Sequence, residues 1–126
     1  LAGAQPAEID CVFANANGSI EGDAEEEKAI RAVFSNEKKM PLIGSIKAIT
    51  GESLSAGGVL SLIAGAGAIE NNFSPARINC QNVGSGQPPS DFQNSKSGGK
   101  SIQTALVNAF CFSGLSTSAI IKRHSA

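Results

Sequence analysis

Two short stretches hold the residue types that could do chemistry. Phe13 to Asp23 reads F-A-N-A-N-G-S-I-E-G-D, and Lys47 to Gly58 reads K-A-I-T-G-E-S-L-S-A-G-G. Each follows a short apolar run. In the second stretch Lys47 and Glu52 stand five positions apart across a Thr-Gly turn, so their charged heads can meet as an ion pair. A carboxylate desolvated beside a lysine is also a candidate general base. In the first stretch Asn17 carries an amide that can donate and accept hydrogen bonds but exchanges no proton near neutral pH.

The other reactive residue types form no constellation. The three cysteines are an odd number with no C-x-x-C spacing, and the single histidine, His124, is near the end of the chain. This argues against a disulfide framework and against a zinc site. Cys11, Cys80 and Cys111 read as buried or half-buried free thiols of a cytosolic protein. The acidic run Glu25 to Glu27 reads as the solvated first turn of a helix rather than a cation site. No metal and no cofactor is expected.

The 126 residues fit about one domain, and 41% apolar with 17% charged residues is a globular composition. A net charge of −1, with no Trp or Tyr to stack on bases, points away from nucleic acid and from anionic membrane surfaces. Gly57 to Ile69 is apolar but too short to span a bilayer, so no membrane partner is expected. Without an initial Met or a basic, apolar leader, the sequence reads as a processed chain or a fragment carrying no signal peptide.

The elements that must position these residues follow from local pattern. Glu8 to Ala14 reads as a strand around Ile9, Val12 and Phe13, followed by a loop from Asn15 to Gly22. Asp23, with Glu26 at the capping-box position, opens a helix whose apolar face is Ala29, Ile30, Val33 and Phe34. Ser35 to Met40 is a polar turn, and Pro41 to Ile46 a short buried strand. Gly57 to Asn72 is a helix apolar on all sides up to Ile69, which demands cover all round. Asn72 to Lys100 is polar and rich in Gly, Ser, Pro and Asn, with one extended piece near Arg77 to Asn79. Ile102 to Phe112 and Ser116 to Lys122 read as strands about a Ser113-Gly114 turn. The order is α/β, and one small sheet with one amphipathic helix cannot cover the apolar helix.

These anchors, in this order, resemble the β-ketoacyl synthases, the condensing enzymes of fatty acid and polyketide assembly. N-A-N-G-S at Asn15 to Ser19 resembles the family's N-A-H-G-T, and K-A-I-T-G-E at Lys47 to Glu52 resembles K-S-x-T-G-H. Gly22-Asp23 with Glu26 resembles G-D-x-x-E, and Pro75 to Asn79 resembles P-P-T-I-N. Asn108 to Gly114, N-A-F-C-F-S-G, resembles N-S-F-G-F-G-G, the loop that floors the active site, here carrying Phe110, Phe112 and Gly114. The resemblance runs from about Ala7 to Arg123. It implies the C-terminal half of a thiolase-like fold: a mixed sheet with helices, one of them fully buried. Residues 1–126 would be one such domain, with 80–100 as its long polar loop.

The departures from the pattern carry the functional expectation. Asn17 stands at the first histidine, Glu52 at the second, and Ser61 where the glutamate partner of the family lysine, here Lys47, is expected. These four are read as vestigial positions, and no catalytic residue as intact. The family histidines donate toward a thioester carbonyl where negative charge develops, whereas an ionised Glu52 only accepts. The nucleophilic cysteine of the family belongs to the N-terminal half. The loop from Gly18 to Asp23 is also two residues shorter than the family's G-T-G-T-P-x-G-D. Shortening together with histidine loss resembles the chain-length factor, the non-catalytic partner of type II polyketide and polyene ketosynthases.

The resemblance implies a silent cytoplasmic subunit. It would join a complementary N-terminal thiolase-like half and pair with an active ketosynthase in a heterodimer or larger complex. There it would help shape the acyl tunnel and meet acyl carrier protein transiently. Two alternatives stand beside it: an altered acyl-thioester enzyme using Glu52 and Lys47, and a scaffold module that only binds partners.

Overall fold

The structure is a computed structural model that describes residues 2–73 and 101–124. The extended piece near Arg77, Cys80 and the 80–100 polar loop lie outside the described residues. A four-stranded sheet in the order β2-β1-β3-β4 organises the chain. Strand β1 (Cys11–Phe13) lies parallel to β2 (Leu42–Gly44) and to β3 (Thr104–Phe110), and β3 pairs antiparallel with β4 (Ser116–Lys122). Helix α1 (Ile20–Phe34) connects β1 to β2, and helix α3 (Gly57–Asn71) leads from β2 toward β3. The two crossovers run in opposite directions along the sheet. Right-handed connection of parallel strands therefore places the two helices on opposite faces.

Strand alternation divides the core accordingly. Val12, Ile43 and Leu106 pack with Ile30 and Phe34 of α1, while Cys11, Phe13, Ala105 and Val107 pack with Ala68 and Ile69 of α3. Gly65 is needed for the second contact. A Cβ there would come within 2.9 Å of Ile121 Cδ1 and 3.4 Å of Val107 Cγ2.

Several expected boundaries move. The first strand is only Cys11–Phe13, because Pro6–Glu8 folds into a 3-10 turn that hands the chain to Ile9. Asp10 then uses its carboxylate to accept the Gln103 and Thr104 amides at 2.8 and 3.1 Å, fastening the start of β3. Helix α1 begins one turn before Asp23. Its N-cap is Ser19, whose hydroxyl accepts from the Gly22 amide at 3.2 Å, so Asp23 lies inside the first turns. The stretch after β2 contains a single helical turn, α2 (Lys47–Thr50), closed by Gly51 at φ +75°.

Helix α3 buries one face only: Gly57, Ser61, Gly65, Ala68 and Ile69 turn toward the sheet. On the other side Val59 is 59% and Ile63 63% exposed. The chain supplies one sheet layer beneath this helix and no second layer above it among the described residues. Complete burial of the helix requires cover from outside them. The segment Leu54–Asn71 has the length and composition of a membrane-crossing helix, a property it shares with the core helices of soluble folds.

Candidate functional site

The polar residues of interest meet at the carboxyl ends of the three parallel strands, where open α/β sheets place their ligand sites. Asn15 follows β1, Lys47 follows β2, and Phe110 ends β3. Lys47 Nζ stands 2.8 Å from Glu52 Oε2 and donates to Asn15 Oδ1 at 2.9 Å. The Lys47 side chain is 9% exposed and that of Glu52 29%. Gly57, at the start of α3, lies against this pair: a Cβ there would stand 3.5 Å from Glu52 Oε1 and 3.6 Å from Lys47 Cε. The other oxygen of Glu52 accepts the Leu54 amide at 2.7 Å. The hydrogen bond from Lys47, with the Leu54 amide and the nearby ammonium charge, holds the Glu52 carboxyl below its ordinary pKa. The ion pair expected from spacing is thus formed through one carboxylate oxygen, and the Leu54 amide engages the other.

Asn15 extends the network inward. Its side-chain oxygen also accepts the Phe110 amide at 3.1 Å, tying the first loop to the end of β3. Its own backbone N–H donates to Glu26 Oε1 at 2.8 Å, and the Ala16 N–H donates to Glu26 Oε2 at 2.9 Å. Asn108 Nδ2 donates to Glu26 Oε1 at 2.9 Å, and the Asn108 oxygen accepts from the Ser118 hydroxyl at 2.8 Å. One carboxylate on α1 therefore gathers the loop after β1 and the inner strand β3, which holds β4 in turn. Glu26 is 5% exposed. This corrects the expectation of a fully solvated acidic turn: Glu25 and Glu27 face solvent with Lys28 and Arg31, while Glu26 points inward. A helix turns about 100° per residue, so three consecutive glutamates cannot share one environment.

The positions read from sequence as vestigial are distributed unevenly about this network. Asn17 turns its side-chain oxygen onto the Ser19 amide at 3.0 Å, a local turn at the entry to α1. The same loop carries Ala16 at φ +36° and Gly18 at φ +87°, with the Gly18 amide on Asp23 Oδ2 at 3.2 Å. Partial burial, the largest effect, and the neighbouring Glu26 raise the Asp23 carboxyl above its ordinary range. Ser61 is 2% exposed, one turn beyond Gly57 on the buried face of α3.

In the loop expected from the resemblance to floor the site, Phe110 is half-buried and Phe112 is 82% exposed. Gly114 takes φ +87° in the turn closed by its amide on the Cys111 carbonyl. Cys11 is buried as expected, but Cys111 is exposed, because it lies in this turn beyond the end of β3. Its Sγ is 2.8 Å from Ser113 Oγ, and that contact lowers the thiol pKa.

Asn15, Glu26 and Asn108 carry the network, and none was singled out as a site residue from sequence. The signal available was positional. Asn15 follows an apolar strand and Asn108 lies within one, where a buried polar side chain must find partners. Among the described residues no group of three or more His, Cys, Asp or Glu converges as a metal site would.

The β-ketoacyl synthase C-terminal domain family matches residues 1–81 of the chain. The chain belongs to that family. A 3-oxoacyl-[acyl-carrier-protein] synthase 1 of Buchnera aphidicola from Acyrthosiphon pisum is 36% identical over 118 residues, covering 92% of this chain and 28% of that protein. Polyketide synthase PksM of Bacillus subtilis is 35% identical over 79 residues, covering 60% of this chain and 2% of that protein. Among solved structures, the ishigamide ketosynthase/chain length factor superposes with a TM-score of 0.80 at 24% identity, over 98% of this chain and 30% of that one. A ketosynthase from module 6 of the bacillaene synthase of Bacillus subtilis gives 0.75 at 22% identity, over 97% and 25%. At these identities the structural likeness is one of fold, and the fold is that of thiolase-like ketosynthase C-terminal domains. The chain spans 28% of the length of the Buchnera synthase.

Proposed function

We propose that this chain is the C-terminal thiolase-like half of a catalytically silent, chain-length-factor-like subunit. It acts in fatty-acid-type or polyketide chain elongation in the cytoplasm. The observation that carries the reading is the closed ion pair of Lys47 and Glu52. Where the family pattern has a donor to an oxyanion, this chain has a carboxylate whose two oxygens are taken by Lys47 and the Leu54 amide. An anion forming there would meet negative charge, the reverse of the stabilisation condensation requires. The side-chain oxygen of Asn17 is likewise engaged, by the Ser19 amide.

The altered-enzyme alternative, with Glu52 as general base, gains nothing from this geometry. A carboxylate held below its ordinary pKa by a lysine is a weak base at neutral pH. The half-open α3 supports a role in assembly. Its apolar outer face fits a complementary N-terminal half, and through it an active ketosynthase that meets acyl carrier protein.

Reconstitution tests the reading. The chain, its complementary half and an active ketosynthase are mixed with malonyl-thioester, and decarboxylation and product length are measured. The expected outcome is no decarboxylation without the active ketosynthase, and a product length that changes when this subunit is exchanged. Decarboxylation by the present chain with its own half, abolished by Glu52→Gln, would establish the enzyme reading instead.

A further inference from the structure

Lys47 is the buried cation of the site, and its surroundings show how its charge is held. Its ammonium meets one carboxylate, Glu52, and one neutral acceptor, Asn15 Oδ1. Among the described residues no other carboxylate pairs with it. The carboxylates that α1 turns toward the site are engaged elsewhere. Glu26 accepts from Asn15, Ala16 and Asn108, and Asp23, near enough to feel the Lys47 charge, accepts the Gly18 amide. Removing the partner of a buried ion leaves its charge uncompensated, so Lys47 requires a counter-ion.

Helix α3 offers a second place for that counter-charge. Gly57 and Ser61 share its buried face one turn apart. A Cβ at Gly57 would stand 3.9 Å from Lys47 Nζ and 3.5 Å from Glu52 Oε1, so the start of the helix lies against the pair. Side chains on a helix lean toward its N-terminus, so residue 61 leans toward Gly57 and the Lys47 head. Residues at this spacing have Cβ atoms about 5–6 Å apart, a gap that a glutamate side chain crosses and a serine does not. Ser61 is the only polar side chain from Gly57 to Ile69, and it is fully buried.

We infer that loop position 52 and helix position 61 are alternative seats for one counter-charge, and that Glu52 holds Lys47 because α3 carries Ser61. Position 52 is thereby committed. A neutral donor placed there strands the ammonium unless position 61 supplies a carboxylate. Glu52 is a positioning residue for Lys47, and the acid at 52 and the small neutral residue at 61 are one linked feature. The inference concerns how the charge is held and stands whether the subunit is silent or active.

A double-mutant cycle on the 126-residue chain tests it, with thermal melts from neutral to acid pH. Glu52→Gln keeps the size and removes the charge, and is expected to lower the melting temperature by about 5 °C. Ser61→Glu beside an intact Glu52 sets two carboxylates against one ammonium and is expected to cost at least as much. Together the two changes should cost about 5 °C less than their sum. The fall in stability at acid pH should flatten in Glu52→Gln and return in the double variant, where a carboxylate paired with Lys47 is again protonated as pH falls. Ser61→Gln in place of Ser61→Glu should give neither recovery, which separates charge from volume. A double variant that folds where a single one does not is the same result in stronger form. Additive losses, a double variant that fails to fold, recovery of the melting temperature without the acid dependence, or an equal rescue by Ser61→Gln would each overturn the inference.

Discussion

Helices α1 and α3 are both 15 residues long and lie on opposite faces of the same sheet, yet they are built for different surroundings. The outer side of α1 is mostly charged, with Lys28 on Glu25 and Arg31 on Glu27 as pairs one turn apart, although Ala29 and Val33 of the expected apolar face are also exposed there and only Ile30 and Phe34 of that face are buried. Such pairs contribute only a few tenths of a kcal/mol each, but they make that face compatible with water. The outer side of α3 carries Val59, Ile63 and Ala66 and ends at Glu70. Burial of one such aliphatic side chain is worth about 1.5–3 kcal/mol over leaving it exposed, so this face favours a partner surface. The inner sides differ as well. From α1 comes a carboxylate that organises a polar junction, and from α3 a row of small residues that lets the helix settle on the sheet. The finished face of the domain is the α1 face, and the unfinished one is the α3 face.

The sharpest way to break that contrast is to remove Glu26. Glu26→Ala strips the acceptor from three donors at once, the Asn15 and Ala16 amides and Asn108 Nδ2. The expected loss is about 3 kcal/mol, read as a shift of the urea midpoint. A loss below roughly 1 kcal/mol would mean that α1 is as replaceable within as it is without.

A smaller effect is expected at the ion pair. Lys47→Met should cost about 1–2 kcal/mol, because Asn15 Oδ1 keeps the Phe110 amide and Glu52 is partly solvated. The pH dependence follows from the depressed Glu52 carboxyl. Its stabilising contribution is complete above the unfolded value near 4.5 and disappears as pH falls through the lower folded value. Glu52→Gln should therefore flatten the acid limb of a stability profile below about pH 5. An unchanged acid limb would show that the pair contributes nothing.

The smallest effect concerns the open face. Val59→Ser with Ile63→Ser should change the stability of the chain by itself within roughly 0.5 kcal/mol, since both side chains are already in water. A loss of several kcal/mol in the isolated chain would show that the residues are covered from within.

Much was legible in sequence because its cause is local or periodic. The helix of Gly57 to Asn71 was apparent from its apolar run, and the final hairpin from two strand patterns about Ser113-Gly114. The Lys47–Glu52 pair follows from five intervening steps that include a turn glycine. The first helix was found, but its start was placed a turn late, since Ser19 and Asp23 are both good caps and only the course of the chain from β1 selects between them.

Sequence by itself determined the alternation of strands and helices, the amphipathic character of α1 and the apolar character of α3. These are properties of neighbouring residues, set by side-chain period and backbone preference. Only the tertiary structure decided that Glu26 faces inward, that Asn15 joins Lys47 to Phe110, and that α3 is covered on one side. Each of these contacts joins separate segments, up to 95 residues apart in the case of Asn15 and Phe110. Their partners are chosen by how three strand ends and two helices converge in space, which no local pattern records.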